Sequence, residues 1–89
     1  MTKESELKLA VKDYLKAMRV FNFPLIQGLA SYRGAPDRIA IHKGKAYALE
    51  IKAPKGKMSE YQTEFKENWQ GAGGIYLEIR DIDDLMVHF

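Results

Sequence analysis

The chain contains no cysteine. Its absence excludes disulfides and zinc–thiolate centres, removes the thiol nucleophile from the possible chemistries, and fits a reducing compartment. Also missing are a signal-peptide pattern and any apolar run long enough to span a bilayer, so the expected location is the cytoplasm, with no membrane partner. There is little excess charge. Fourteen Lys/Arg stand against 12 Asp/Glu for a net +2, a balance that does not by itself indicate nucleic acid. No internal repeat, linker or low-complexity tract breaks the chain. The histidines, His42 and His88, neighbour no serine in a recognisable motif, so nothing suits acyl transfer.

What is present suits one small globular domain spanning residues 1–89, with 46% hydrophobic and 29% charged residues. A chain of this size buries only about 60–65% of its unfolded surface, so dimerisation would help it. From Glu4 to Met18, the residues Leu7, Ala10, Val11, Tyr14, Leu15 and Met18 form one stripe of an amphipathic helix. Val20 to Tyr32 is apolar without helical period and contains Pro24 and Gly28. This stretch reads as a loop entering a first edge strand, and Val20 to Leu29 is apolar enough to suggest a dimer contact.

Arg38–His42 and Ala46–Ile51 read as strands, joined by Lys43-Gly44-Lys45, a hairpin signal with glycine available for positive φ. Ser59-Glu60-Tyr61-Gln62 has the capping-box form and opens a second helix. Tyr61, Phe65 and Trp69 follow as an aromatic seam, read as core rather than as a base-stacking platform. After Gly71-Ala72-Gly73-Gly74, Ile75, Leu77 and Ile79 alternate with Tyr76, Glu78 and Arg80 as a strand with two unlike faces. Asp81 can cap a last helical turn. The order is α-β-β-β-α-β, an α/β domain with a mixed sheet, because the second helix is long enough for a crossover.

Against this pattern, three residues stand out. Asp37 sits at the mouth of one strand, and Glu50 and Lys52 interrupt the end of the next. Alternation puts Glu50 and Lys52 on one face, opposite Leu49 and Ile51. The hairpin carries Asp37 alongside them, because its arms flank Gly44 almost symmetrically. Two carboxylates that close repel unless a divalent cation lies between them. Mg²⁺ is suited to one or two carboxylates with waters and phosphate oxygens, and Lys52 adds a donor for water or a charged transition state. The set suits phosphodiester hydrolysis. One difficulty accompanies it: alternation also places Asp37 with Ile39 and Ile41, which are expected in the core, so a bend at Gly34–Pro36 is expected to turn Asp37 outward. Arg33, Lys55 and Lys57 belong to a local crowd of cations and are candidates for phosphate contact.

Pro36-Asp37, twelve residues, and then Glu50-Ile51-Lys52 resembles the PD-(D/E)XK nuclease signature. The closer resemblance is to the VRR-NUC (virus-type replication-repair nuclease) family. "RGAPDRIAI" is similar to its G-x-P-D strand, "ALEIK" to its E-x-K strand, "GKMSEYQTEF" to its G-K-x-S-x-x-Q helix start, and "GAGGIYLEIRDIDDL" to its glycine turn, strand and acidic stretch. The resemblance implies a restriction-endonuclease-like core and a metal-dependent DNA endonuclease. Asp37, Glu50 and the Ile51 carbonyl would be metal ligands, Lys52 the catalytic lysine, and Gln62 a supporting residue that can also serve the capping box. The family's first helix contributes a glutamate, for which Glu4 is preferred over Glu6. Mg²⁺ or Mn²⁺ is the implied cofactor. The implied substrate is DNA, branched forms such as four-way (Holliday) junctions above all, and the implied assembly is a homodimer. Viral origin would place the protein in host cytoplasm, in DNA repair or replication. The alternative is a non-catalytic DNA-binding module of the same fold, and a purely structural dimerisation domain is a third reading.

Overall fold

The computed structural model describes residues 3–26 and 32–89, so Gly28 and Leu29 of the apolar stretch lie outside the described residues. Helix α1 (Lys3–Ala17) forms where the apolar stripe predicts it, and Val11 and Leu15 are fully buried. Met18, assigned to the stripe by its spacing, falls past the last turn and is exposed. No glycine ends the helix. Arg19 takes the left-handed conformation instead, at φ 58°. The Val20 N–H then donates to the Leu15 carbonyl and the Arg19 N–H to the Lys16 carbonyl, a Schellman ending that tucks Val20 into the core.

The chain continues into β1 (Phe21–Pro24), then β2 (Arg38–His42) and β3 (Lys45–Ile51), crosses over through α2 (Glu60–Gly71) to β4 (Ile75–Ile79), and ends with α3 (Ile82–Met86). The four strands lie in chain order. β1–β2 and β2–β3 are antiparallel, while β3–β4 is parallel. This is the expected mixed α/β sheet in the expected α-β-β-β-α-β order. In the β2–β3 hairpin both turn residues have positive φ, Lys43 at 50° and Gly44 at 79°, the demand of a type I′ turn. Asp81 caps α3 with its side chain, and Leu85 of that short helix is fully buried.

The two sheet faces are covered unequally. α1 packs on β1 and β3, and α3 on β4 and α1. Together they bury Ala40, Tyr47, Leu49, Ile51 and Ile79 against Val11, Leu15 and Leu85. On the other face α2 packs on β4. The register pairs Ile39 with Ala48 and Ile41 with Ala46, which sets both isoleucines on the α2 side, where Ile41 is 42% exposed. The core residue of β2 is therefore Ala40, not Ile39 or Ile41 as expected. Phe21 and Phe23, paired with Ile41 and Ile39, are exposed on that same face.

Two further expectations need correction. Phe65 and Trp69 stack on each other, centroids 5.6 Å apart, and are half-buried, but Tyr61 at the head of the seam is exposed. Its ring turns away from the sheet and lies beneath the Arg33 guanidinium, whose carbon is 3.9 Å from the ring centroid. His42, expected in solvent beside the hairpin turn, is half-buried with its ring 5.3 Å from that of Phe89, which also packs against Tyr47. Among the described residues no helix is long and apolar enough to cross a membrane.

Candidate active site

The C-terminal end of β3 opens into a cleft of about 360 Å³, bounded by the start of α1, the 33–37 segment and the first turn of α2. Glu4, Arg33, Asp37, Glu50, Ile51, Lys52 and Gln62 all line it. Glu6 does not; it borders a different depression, lined also by Leu7, Ala10 and Arg80. Lys55 and Lys57 are exposed on the loop after β3 and are not among the cleft walls.

Asp37 follows the turn at Arg33–Gly34 and is itself a bend residue just before β2, and strand alternation carries it to the cleft. Continuing the Arg38–Leu49 pairing by one step sets Asp37 beside Glu50, on the face that Ile39 and Ile41 share. That face is the α2 side of the sheet, not the main core under α1 and α3. Backbone and side chain both anchor the residue. Its N–H donates to the Leu49 carbonyl at 3.0 Å, its carbonyl accepts from Leu25 at 2.9 Å, and Oδ2 accepts the Ile51 N–H at 2.7 Å. The last contact ties one carboxylate to the backbone between Glu50 and Lys52.

Glu50 is the buried acid of the structure, 3% exposed. Its Oε1 accepts from Gln62 Nε2 at 2.8 Å and lies 3.7 Å from Lys52 Nζ. Its Oε2 is buried without a hydrogen-bond partner. Burial, reinforced by the charge of Asp37, pushes the Glu50 carboxyl up to about 7 against the opposing pull of Lys52 and Lys8. Gln62 fills two roles at once. Its Oε1 accepts the Ser59 N–H at 2.9 Å and its own N–H donates to Ser59 Oγ, closing the capping box, while Nε2 holds Glu50.

Gly34 seats α2 against this edge. It has φ +81°, and a Cβ there would run into the Tyr61 carbonyl. Glycine is thus required both by the backbone conformation and by the close approach of the helix.

Sequence reasoning overlooked three contributors. Lys8 Nζ lies 3.6 Å from Glu4 Oε2 and 3.4 Å from Asp37 Oδ1, so it bridges two of the nominated acids. Burial works against its charge, but the Asp37 and Glu4 carboxylates outweigh that and hold the ammonium above its ordinary range. The i, i+4 spacing from Glu4 could have disclosed it. Tyr76 lies on the Glu50 side of β4 with its hydroxyl buried and unpartnered, and burial followed by the charge of Glu50 raises its phenol. Arg80 Nη1 donates to the carbonyls of Ala53 at 3.0 Å and Gly56 at 2.6 Å, pinning the loop that leads from Lys52 to α2. Neither could be found before the strand pairing was known.

The donor set suits a hard divalent ion. Two carboxylates flank the Ile51 backbone, one of them with a buried oxygen unsatisfied, and hard oxygen ligands of this kind suit Mg²⁺ or Mn²⁺. Among the described residues no group of three or more His, Asp or Glu converges on one point. Glu4 lines the cleft but stands off behind Lys8. Compared with protein-family models, with curated proteins and with solved structures, the chain finds no match.

Proposed function

We propose that this domain is a metal-dependent DNA endonuclease of the VRR-NUC kind within the PD-(D/E)XK nucleases, hydrolysing phosphodiester bonds, with branched DNA such as four-way junctions as substrate and a homodimer as the working form. The observation that carries this reading is the convergence of Asp37, Glu50 and Lys52, with Gln62 behind Glu50, on one open cleft. Asp37 and Glu50, with the Ile51 carbonyl, would hold Mg²⁺ or Mn²⁺, and Glu4 could join them once Lys8 releases it. When bound, the ion supplies Lewis-acid polarisation of the phosphodiester and of water.

The remaining work falls to the chain's own groups. Gln62 fixes the orientation of Glu50, and the Ile51 N–H fixes that of Asp37, so both carboxylates are placed before substrate arrives. Lys52 is 14% exposed at its side chain and close to Glu50, so its ammonium is held at the cleft wall, where it can donate to the attacking water or to the phosphate oxygens as negative charge grows. The water oxygen bonds to phosphorus, the bond from phosphorus to the leaving sugar oxygen breaks, and the proton shed by the water is balanced by one gained at that oxygen. Cutting two related strands at symmetric positions suits a two-fold dimer.

The direct test incubates the protein with a four-way DNA junction and Mg²⁺ alongside Lys52→Ala. Strand scission by wild type, reduced by roughly 10²-fold or more in the variant, is expected. Equal inertness of the two proteins, with DNA still bound, would leave the non-catalytic binding module as the better reading.

A further inference from the structure

We propose that Arg33 and Tyr61 form a stacking platform at the mouth of the cleft that takes an unpaired nucleobase of the substrate. The proposal deepens the nuclease reading by naming a structural class of substrate, and it rests on the cleft being a nucleic-acid site. The Arg33 guanidinium carbon lies over the Tyr61 ring, 3.9 Å from its centroid, and both residues line the same cleft as Asp37, Glu50 and Lys52.

Several features distinguish this pair from an incidental surface contact. Tyr61 begins the aromatic seam of α2, yet it is 45% exposed, whereas Phe65 and Trp69 turn inward. Its backbone is pressed against Gly34, the neighbour of Arg33, so the two side chains are brought together by a contact that tolerates no Cβ. Tyr61 also precedes Gln62, whose amide holds Glu50, which makes the platform rigid with respect to the reacting centre. Among the described residues no carboxylate lies within ion-pair distance of Arg33.

The chemistry selects the ligand. A guanidinium resting on an aromatic ring offers its outer face to another flat π-system, and Arg planes and Tyr rings are the surfaces on which unstacked bases settle. Bases inside an intact duplex have no free face to give. The platform therefore favours DNA with an unpaired nucleotide near the cut, such as a flap, a splayed end or an opened junction arm. A lysine could supply the charge of Arg33 but not its plane.

Fluorescence anisotropy in EDTA tests this without cleavage. Two labelled duplexes carry the same short single-stranded tail, one with bases and one abasic, so phosphate charge is matched. Wild type should favour the base-bearing tail by about tenfold. Arg33→Lys and Tyr61→Leu should abolish that preference, Arg33→Lys leaving the salt dependence of binding unchanged, and Tyr61→Phe should retain it. Thermal unfolding of each variant verifies the fold. Equal affinity of wild type for the two tails, or a full preference in Arg33→Lys, overturns the platform. Cleavage of the junction in Mg²⁺ is measured in parallel. Scission without base preference leaves the nuclease reading intact while the platform fails. Base preference with no Lys52-dependent scission upholds the platform while the nuclease reading fails.

Discussion

Glu50→Gln is the substitution that asks most directly what the buried acid is for. In the folded protein the Glu50 carboxyl is held at about 7, against 4.5 for an unperturbed glutamate. Above pH 7, ionising it in the folded state therefore costs about 3 kcal/mol more than in the unfolded chain. The sign follows from proton counts. Between pH 4.5 and about 7 the unfolded chain has released this proton while the folded chain still holds it, so stability falls as pH rises through that window and levels off above it. Glutamine carries no such burden, and its oxygen can still accept from Gln62. Lys52 loses an ionic partner, which trims the gain. In EDTA, Glu50→Gln should match wild type near pH 4.5 and exceed it at pH 8 by roughly 2–3 kcal/mol, on the order of 10 °C in Tm for a domain this small. Circular dichroism melts at the two pH values read this directly. Millimolar Mn²⁺ should then stabilise only wild type, by about 2.7 kcal/mol at a hundredfold excess over Kd, which closes the gap between the two proteins. A variant less stable than wild type at pH 8 in EDTA would falsify the view that Glu50 is an uncompensated charge awaiting a cation.

Lys8→Met removes the ammonium that lies against Asp37 and Glu4, so Mn²⁺ affinity measured by calorimetry should rise by about fivefold, on the order of 1 kcal/mol; weaker binding would mean that Lys8 helps to hold the site together rather than competing for it. Gly34→Ala places a Cβ against the Tyr61 carbonyl at a φ of +81°, and should cost roughly 2–3 kcal/mol in urea unfolding. An unchanged urea midpoint would mean that the 33–37 segment and α2 do not press together as described.

Local chemistry made much of the fold legible. The period of α1, the I′ turn at Lys43-Gly44, the capping box at Ser59 and the alternation in β4 are each written in a few adjacent residues, and each element formed where its signal lies. The Asp37–Glu50–Lys52 neighbourhood was legible for the same reason, since a two-residue turn fixes a hairpin register and the register fixes which residues share a face. What could not be read depended on which face each helix covers. Ile39 and Ile41 look like core by composition, but only knowledge that α1 lies over Ala40 shows otherwise. Lys8 joins Asp37 across a long stretch of chain, Tyr76 approaches Glu50 only through the parallel β3–β4 pairing, and Arg19 ends a helix in a conformation for which glycine is the usual signal.

The site and the stability of this domain are bound to one another. A chain of this length has a net folding free energy of only about 4–13 kcal/mol. Placing Glu50 in a buried position beside Asp37 forgoes a substantial fraction of that at neutral pH, and Lys8 and Lys52 offset only part of it. No packing need explains the arrangement, because Leu49 and Ile51 on the opposite face already supply the core contacts of this strand. A buried carboxylate with an unsatisfied oxygen, within the field of a second acid, is costly in the free protein and favourable once positive charge arrives. On the proposed reading, ligand binding and folding should therefore be linked: the Glu50 carboxylate that weakens the free domain above pH 7 would give a cation differential affinity for the folded state. A dimerisation domain would have no use for that linkage, since neutral replacements of Asp37 and Glu50 would stabilise it at no loss.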